Sequence, residues 1–149
     1  MTDRELMQAA IALAREAAAD GEVPVGAVVA KDGEIVSVGR NRREKDKNAL
    51  AHAEIEAIDK ACRALGGWRL WQCELFVTLE PCPMCAGAAL NSRIEEIVFG
   101  AWDSEMGSCG SRIDVTDGRL PRRAKTMGGV LEEDCQRLLR DFFREKRGK

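Results

Sequence analysis

The sequence predicts an α/β fold: a three-layer α/β/α sandwich whose central mixed sheet has about five strands. Three observations predict it. Apolar residues recur at helical spacing in some stretches and in short valine- and isoleucine-rich runs in others. The first two such runs are joined by a tight reversal, and beyond them strand and helix alternate, which requires parallel neighbours whose crossovers cover both faces of the sheet. The length, 149 residues, suits one domain around one core, expected to span 1–149.

Each element has its own signal. Thr2 with Glu5 three residues on has the form of a capping box, and Leu6, Ala9, Ala10, Leu13, Ala14 and Ala17 make a helical stripe that ends at Asp20 and Gly21. Residues 25–30 and 34–39 read as a hairpin turned by Lys31, Asp32 and Gly33. Residues 40–51 are polar and read as a loop, which delivers the chain to a helix carrying Ile55, Ile58, Ala61 and Leu65 and stopped by Gly66 and Gly67. Residues 75–79 read as a buried strand, 82–90 as a helix of small residues and 97–99 as a further strand. Between 101 and 129 glycines interrupt every pattern, leaving at most a short strand near Thr126. Leu131, Cys135, Leu138, Leu139, Phe142 and Phe143 then form a closing helical stripe.

Composition narrows the class. Hydrophobic residues make up 45% and charged residues 32% of the chain, and no apolar stretch approaches the ~20 residues that cross a bilayer. Disordered, fibrous and membrane-spanning classes drop out. The first sixteen residues mix acids, arginines and alanines, unlike a secretory or transit peptide, so the expected address is the cytoplasm. The net charge of −2 conceals a basic C-terminal fifth, +5 over residues 119–149 against −7 before it. Its cations are Arg119, Arg122, Arg123, Lys125, Arg137, Arg140, Arg144, Lys146, Arg147 and Lys149. Such a face can meet phosphates or simply be solvated.

Six cysteines and a single histidine carry the chemistry. Cys82 and Cys85 form a C-x-x-C at a helix start, a spacing shared by thiol redox motifs and half zinc fingers. A four-cysteine site would bring a second close pair, and Cys62 and Cys73 are a poor match for one. His52 is the better third ligand. His52, Cys82 and Cys85, each near a helix N-terminus, would leave one tetrahedral position open, the arrangement of a catalytic zinc. Zinc lowers the pKa of a bound water from ~15.7 toward ~7, and Glu54, two residues from His52, stands where it can relay protons from that water to a leaving amine. Cys62, Cys73, Cys109 and Cys135 are expected to pack in the core.

His52-Ala53-Glu54 followed by Pro81-Cys82-Pro83-Met84-Cys85 resembles the H-x-E and P-C-x-x-C signature of zinc-dependent nucleobase deaminases. Nearly the whole chain is similar to the bacterial tRNA-specific adenosine deaminases, in 22–27, Asn41-Arg42, 51–54, 77–82, 85–88, Ser92-Arg93, 99–101, 129–131 and 141–143. The resemblance implies a cytidine-deaminase-like fold and a homodimer with one Zn2+ per subunit. It implies a substrate, the anticodon stem-loop of a tRNA, whose wobble adenosine becomes inosine. By the same resemblance His52, Cys82 and Cys85 bind zinc, Glu54 is catalytic, Asn41 hydrogen-bonds the base, and Val23, Pro24 and Ala53 line its pocket. An unstacked loop base costs little to extrude.

The chain also departs from that family. The leucine-rich stretch and the Asn-His pair expected after Ser111 are missing, and residues 112–126 are short, basic and without histidine. With no tyrosine in the chain, any base stacking would fall to Trp68, Trp71, Trp102, Phe142 or Phe143. Two alternatives stay open at this point. One is a deaminase of a free base or nucleoside of the guanine, cytosine or cytidine type. The other is a non-catalytic interaction module in which zinc only joins two helices, betrayed by a fourth protein ligand.

Overall fold

Five strands in the order β2-β1-β3-β4-β5 form the central sheet of the computed structural model, which describes residues 1–147 and no side chain beyond Lys146. Helix α1 (Asp3–Ala19) starts from the expected capping box: Thr2 accepts from the Glu5 N–H, and the Glu5 carboxylate accepts from the Thr2 N–H. Strands β1 (Gly26–Lys31) and β2 (Glu34–Arg40) pair antiparallel through a two-residue turn in which Asp32 and Gly33 both have positive φ, the twist that hairpins favour. A four-residue helix, α2 (Arg43–Asp46), interrupts the polar stretch that reads as loop. Helix α3 (Ala53–Leu65), strand β3 (Cys73–Leu79), helix α4 (Pro83–Asn91) and strand β4 (Glu96–Ala101) follow. Strand β5 (Lys125–Met127) lies at the predicted Thr126, and α5 (Glu132–Arg147) closes the described chain.

The sheet is mixed, as the alternation of elements requires. β1 pairs antiparallel with β2 and with β3, whereas β3–β4 and β4–β5 are parallel. Because side chains alternate along a strand, the sheet supplies two cores. Ala27, Val29, Leu75, Val77, Ile97 and Phe99 pack beneath α3 and α4, while Val28, Ala30, Phe76 and Val98 pack beneath α1 and α5. Cys73, Cys109 and Cys135 are buried in these layers, and Cys62 is half-buried at the margin of the first. That is the packing role expected of them.

Helix α3 sits close to the sheet because Gly39 on β2 has no side chain. A Cβ there would collide with the backbone of Ala53 and Ala57. This close approach fixes the start of α3 against the sheet, and Glu56 ties it to the end of β2, accepting from the Arg40 N–H and pairing with the Arg42 guanidinium at 2.6 Å. The parallel β3–α4–β4 unit brings the start of α4 to the same end of the molecule, the carboxyl end of β3, where sites in such sheets gather.

Candidate metal centre and its cleft

His52 is the N-cap residue of α3 and Cys82 that of α4, and neither side chain caps its own helix. Both side chains are thereby free to point at a common centre, and Cys85, one turn into α4, joins them. The ligand atoms of His52, Cys82 and Cys85 all lie within 4.8 Å of one another. Ideal Zn–S and Zn–N bonds of ~2.3 and ~2.0 Å in tetrahedral geometry set nitrogen and sulfur roughly 3.5 Å apart. Here His52 Nδ1 is 3.7 Å from Cys82 Sγ and 3.5 Å from Cys85 Sγ. The donor set and its spacing fit zinc. Cys62, Cys73, Cys109 and Cys135 are not part of this cluster, which is the one group of three or more ligand side chains among the described residues.

The electrostatics favour a bound cation. The Cys82 thiol is pulled down to about 4, chiefly by the hydrogen bond from Cys85, with further help from His52. The same hydrogen bond and burial push Cys85 up, and the contact with Cys82 raises His52. One sulfur of the pair is thus held as thiolate, the state that ligates metal, and the N-termini of α3 and α4 add their partial positive charge. Glu54, only 4% exposed, follows His52 by two residues. Burial pushes its carboxyl up to about 7, opposed by hydrogen bonds from its own backbone and from Cys85. A carboxyl with a pKa so close to neutrality can both take and give a proton.

A cleft of about 790 Å³ opens over these groups, within the ~300–1,000 Å³ of typical small-ligand sites. His52, Ala53, Glu54 and Cys82 reach its surface, and Cys85 lies buried beneath. Asn41 and Val23 line it, and the Asn41 side chain is itself held in place. Its Nδ2 donates to the Val23 carbonyl at 3.2 Å, and its Oδ1 accepts from the Arg43 N–H at 3.2 Å. Pro24 is buried and does not line the cleft. Val25 does, and its N–H donates to the Val23 carbonyl at 2.9 Å in a tight turn around Pro24, with both valines on the cleft.

Several lining residues carry no local sequence signal. Arg43 and Ala49 come from the segment around α2, Asp103, Glu105 and Met106 from the loop after β4, and Phe143 from α5. Glu22, 2% exposed, accepts from the Glu44 and Lys45 N–H groups and so anchors the start of α2. Glu80 does the same for the loop after β4. Among the described residues, Phe143 is the one aromatic side chain lining the cleft. Trp102 packs edge-on against Phe99 at 4.8 Å, Phe142 is buried, and Trp68 lies under the guanidinium groups of Arg69 and Arg93.

Residues 1–101 match the family model described as the cytidine and deoxycytidylate deaminase zinc-binding region. That stretch contains both ligand-bearing helix starts, and the cofactor of the site is zinc, one per chain. The tRNA-specific adenosine deaminase of Bacillus subtilis (strain 168) is 49% identical over 151 aligned residues, covering 100% of this chain and 94% of that protein. A structure from a study of A-to-I editing by tRNA:A34 deaminases superposes with a TM-score of 0.84 at 36% identity, covering 91% of this chain and 99% of the other. A guanine deaminase from Nitrosomonas europaea superposes with a TM-score of 0.83 at 27% identity, covering 93% and 83%. The family model covers two-thirds of the chain, from α1 through both ligand-bearing helix starts to β4, and with a relative 49% identical over the full length the chain belongs to the cytidine and deoxycytidylate deaminase family.

Proposed function

We propose that the protein is a hydrolytic deaminase that converts adenosine to inosine at the wobble position of a tRNA anticodon loop, releasing ammonia. One observation carries this reading. The cluster of His52, Cys82 and Cys85, with Glu54 buried beside it, sits in a chain whose 49% identical relative over its full length is a tRNA-specific adenosine deaminase. A solved neighbour studied as a tRNA:A34 deaminase supports the same substrate.

Each residue has a task that its surroundings explain. His52, Cys82 and Cys85 hold the zinc, which supplies the Lewis acidity that makes water a nucleophile at neutral pH. With zinc bound, Glu54 would take a proton from the attacking water and deliver it to N1 of the purine as C6 is attacked, then take the remaining proton from the new C6 hydroxyl and pass it to the amine, so that the C6 carbonyl forms and ammonia leaves. The position of the Glu54 carboxyl near neutrality suits both directions of transfer. Asn41, whose backbone-held amide keeps one N–H to spare, hydrogen-bonds the base from the side wall. Val23 and Ala53, with Val25 in the position expected of Pro24, supply the apolar surfaces between which the base is held.

The active unit in this proposal is a homodimer that accepts the anticodon stem-loop in the cytoplasm. Six free cysteines suit that reducing compartment, and no helix among the described residues is long and apolar enough to cross a membrane. Sedimentation would report a mass of twice 16.4 kDa.

The second reading, a free-base deaminase, is favoured by the likeness to a guanine deaminase and by the altered segment 112–126. Ammonia release from an anticodon stem-loop with adenosine at the wobble position, set against free adenosine, guanine and cytidine, separates the two. Release from the stem-loop alone is expected. Release from free guanine alone would transfer the activity to the second reading.

A further inference from the structure

Glu80 takes no part in the chemistry above, yet it is 2% exposed and is the hub of the loop that follows β4. Its Oε1 accepts from the Asp103 N–H at 3.0 Å and from the Ser111 hydroxyl, and its Oε2 accepts from the Cys109 and Ser111 N–H groups at 3.0 Å each. Four donors converge on one carboxylate. Gly107 passes so close that a Cβ there would fall inside the Glu80 carboxyl group. On the main chain, Glu80 donates to Ala101 at the end of β4, and Pro81 accepts from the Ser108 N–H at 2.9 Å. Segment 103–111 is therefore wrapped around the residue that comes two positions before the ligand Cys82.

The same loop forms one side of the cleft. Asp103, Glu105 and Met106 line it, and Asp103 Oδ1 turns the backbone by accepting from the Glu105 and Met106 N–H groups at 3.0 and 3.3 Å. Segment 103–111 contains Gly107, Gly110 and three serines, and has little side-chain bulk to hold itself in shape. The hydrogen bonds to Glu80 must do so. Only a carboxylate serves all four, since it offers acceptor lone pairs on both oxygens and no N–H of its own.

We propose that Glu80 is a positioning residue that fixes the cleft-lining loop 103–111 relative to the metal ligands and thereby sets how tightly the substrate nucleotide is held. The proposal rests on the deaminase reading for its substrate and on the geometry alone for the loop.

The test uses Glu80→Gln and Ser111→Ala in the zinc-loaded protein. Glutamine can keep the Cys109 and Ser111 N–H bonds through its oxygen, but its NH2 then faces the Asp103 N–H, so the cleft end of the loop is released first. Expected for Glu80→Gln is a KM for the stem-loop raised about tenfold, the loss of one charge-assisted hydrogen bond, with kcat within about twofold. Zinc remains at one per chain, and faster amide exchange is confined to 103–111. Ser111→Ala, which removes a single hydroxyl, moves both readouts the same way by less and decides the matter if Glu80→Gln fails to fold. An unchanged KM, a KM that rises only in step with zinc loss, or exchange that quickens throughout the chain would overturn the proposal. If the parent protein is silent on the stem-loop, the substrate reading fails, and the exchange pattern still decides whether Glu80 holds the loop.

Discussion

Glu54 shows how little of a residue's chemistry resides in the residue itself. The same side chain at a solvated helix start would be an ordinary acid. At 4% exposure, burial pushes it up to about 7 against the hydrogen bonds that favour its ionised form, which suits it to the proton transfer proposed for it. Replacing Glu54 by Ala should leave zinc content unchanged and lower kcat by ~10²–10⁴-fold, checked by metal analysis alongside ammonia release. Retention of the parent rate would remove the proton-shuttle role. His52, Glu54, Cys82 and Cys85 were all legible in the sequence, because short fixed spacings at two helix starts encode them. Glu22 and Glu80 were not, because their roles are set by backbone N–H groups 22 to 31 residues away, which no local pattern records. Val25 lines the cleft beside Val23 in a turn closed around Pro24 by the Val25 N–H and the Val23 carbonyl, a detail that residue type alone does not record.

At the scale of elements, periodicity located every described helix except α2 and strands β1 to β4, with ends displaced by a residue or two except at α5, which runs four residues past the last stripe residue Phe143, whereas the three-residue β5 shows no period. The four residues of α2 read as loop because they are all charged, and what holds them is Glu22 below, with the left-handed Lys47 ending the turn. The β3–β4 pair holds a second acid-rich feature. Glu74 lies directly across from Glu96, and burial, the hydrogen bond that its protonated form donates to Glu96 and the charges of Glu96, Asp3 and Glu95 push its carboxyl up to about 7. A carboxyl that is harder to ionise in the folded state than in the unfolded chain, where it titrates near ~4.3, favours folding in its protonated form. Stability from this site is therefore full below about pH 4 and is lost as pH rises toward about 7. Glu74→Gln should raise stability at pH 8 by at most about 1 kcal/mol, since solvent screens a half-buried pair, and should match the parent near pH 4. Urea midpoints at the two pH values check this, and equal effects at both would contradict it.

Over the whole molecule, charge is divided by region. The basic C-terminal fifth includes β5 and the outward face of α5, where Arg137, Arg140 and Arg144 are exposed and pair with Glu133 and Asp141 of their own helix. Lys149 lies outside the described residues, as does the side chain of Arg147. Elsewhere Arg69 and Arg93 share the Trp68 ring, with the charge of Arg122 felt at Arg93. If these cations meet RNA phosphates, each neutralised phosphate releases counterions, and log K should fall with log salt at a slope of about −0.7 per contact for a single-stranded loop and about −0.9 for a duplex stem. Titrating stem-loop binding from low to high salt measures it, and a flat line would remove the basic face from the interface. Segment 112–126 resisted reading because it is mostly irregular. An isolated bridge between Cys109 and Asp114, together with turns, carries the chain to β5, and such structure leaves no period in the sequence.

The two ligand-bearing helix starts are 30 residues apart along the chain and meet at the His52 ring, which contacts both Cys82 and Cys85. An ion gripped from both sides would act as a removable tether closing that length of polypeptide, and a covalent closure of similar span is worth roughly 3–4 kcal/mol on the loop-entropy account. Catalysis and durability would then depend on a single atom. Substitutions that loosen the contact between α3 and α4 would be tolerated while the tether holds and exposed once it is withdrawn.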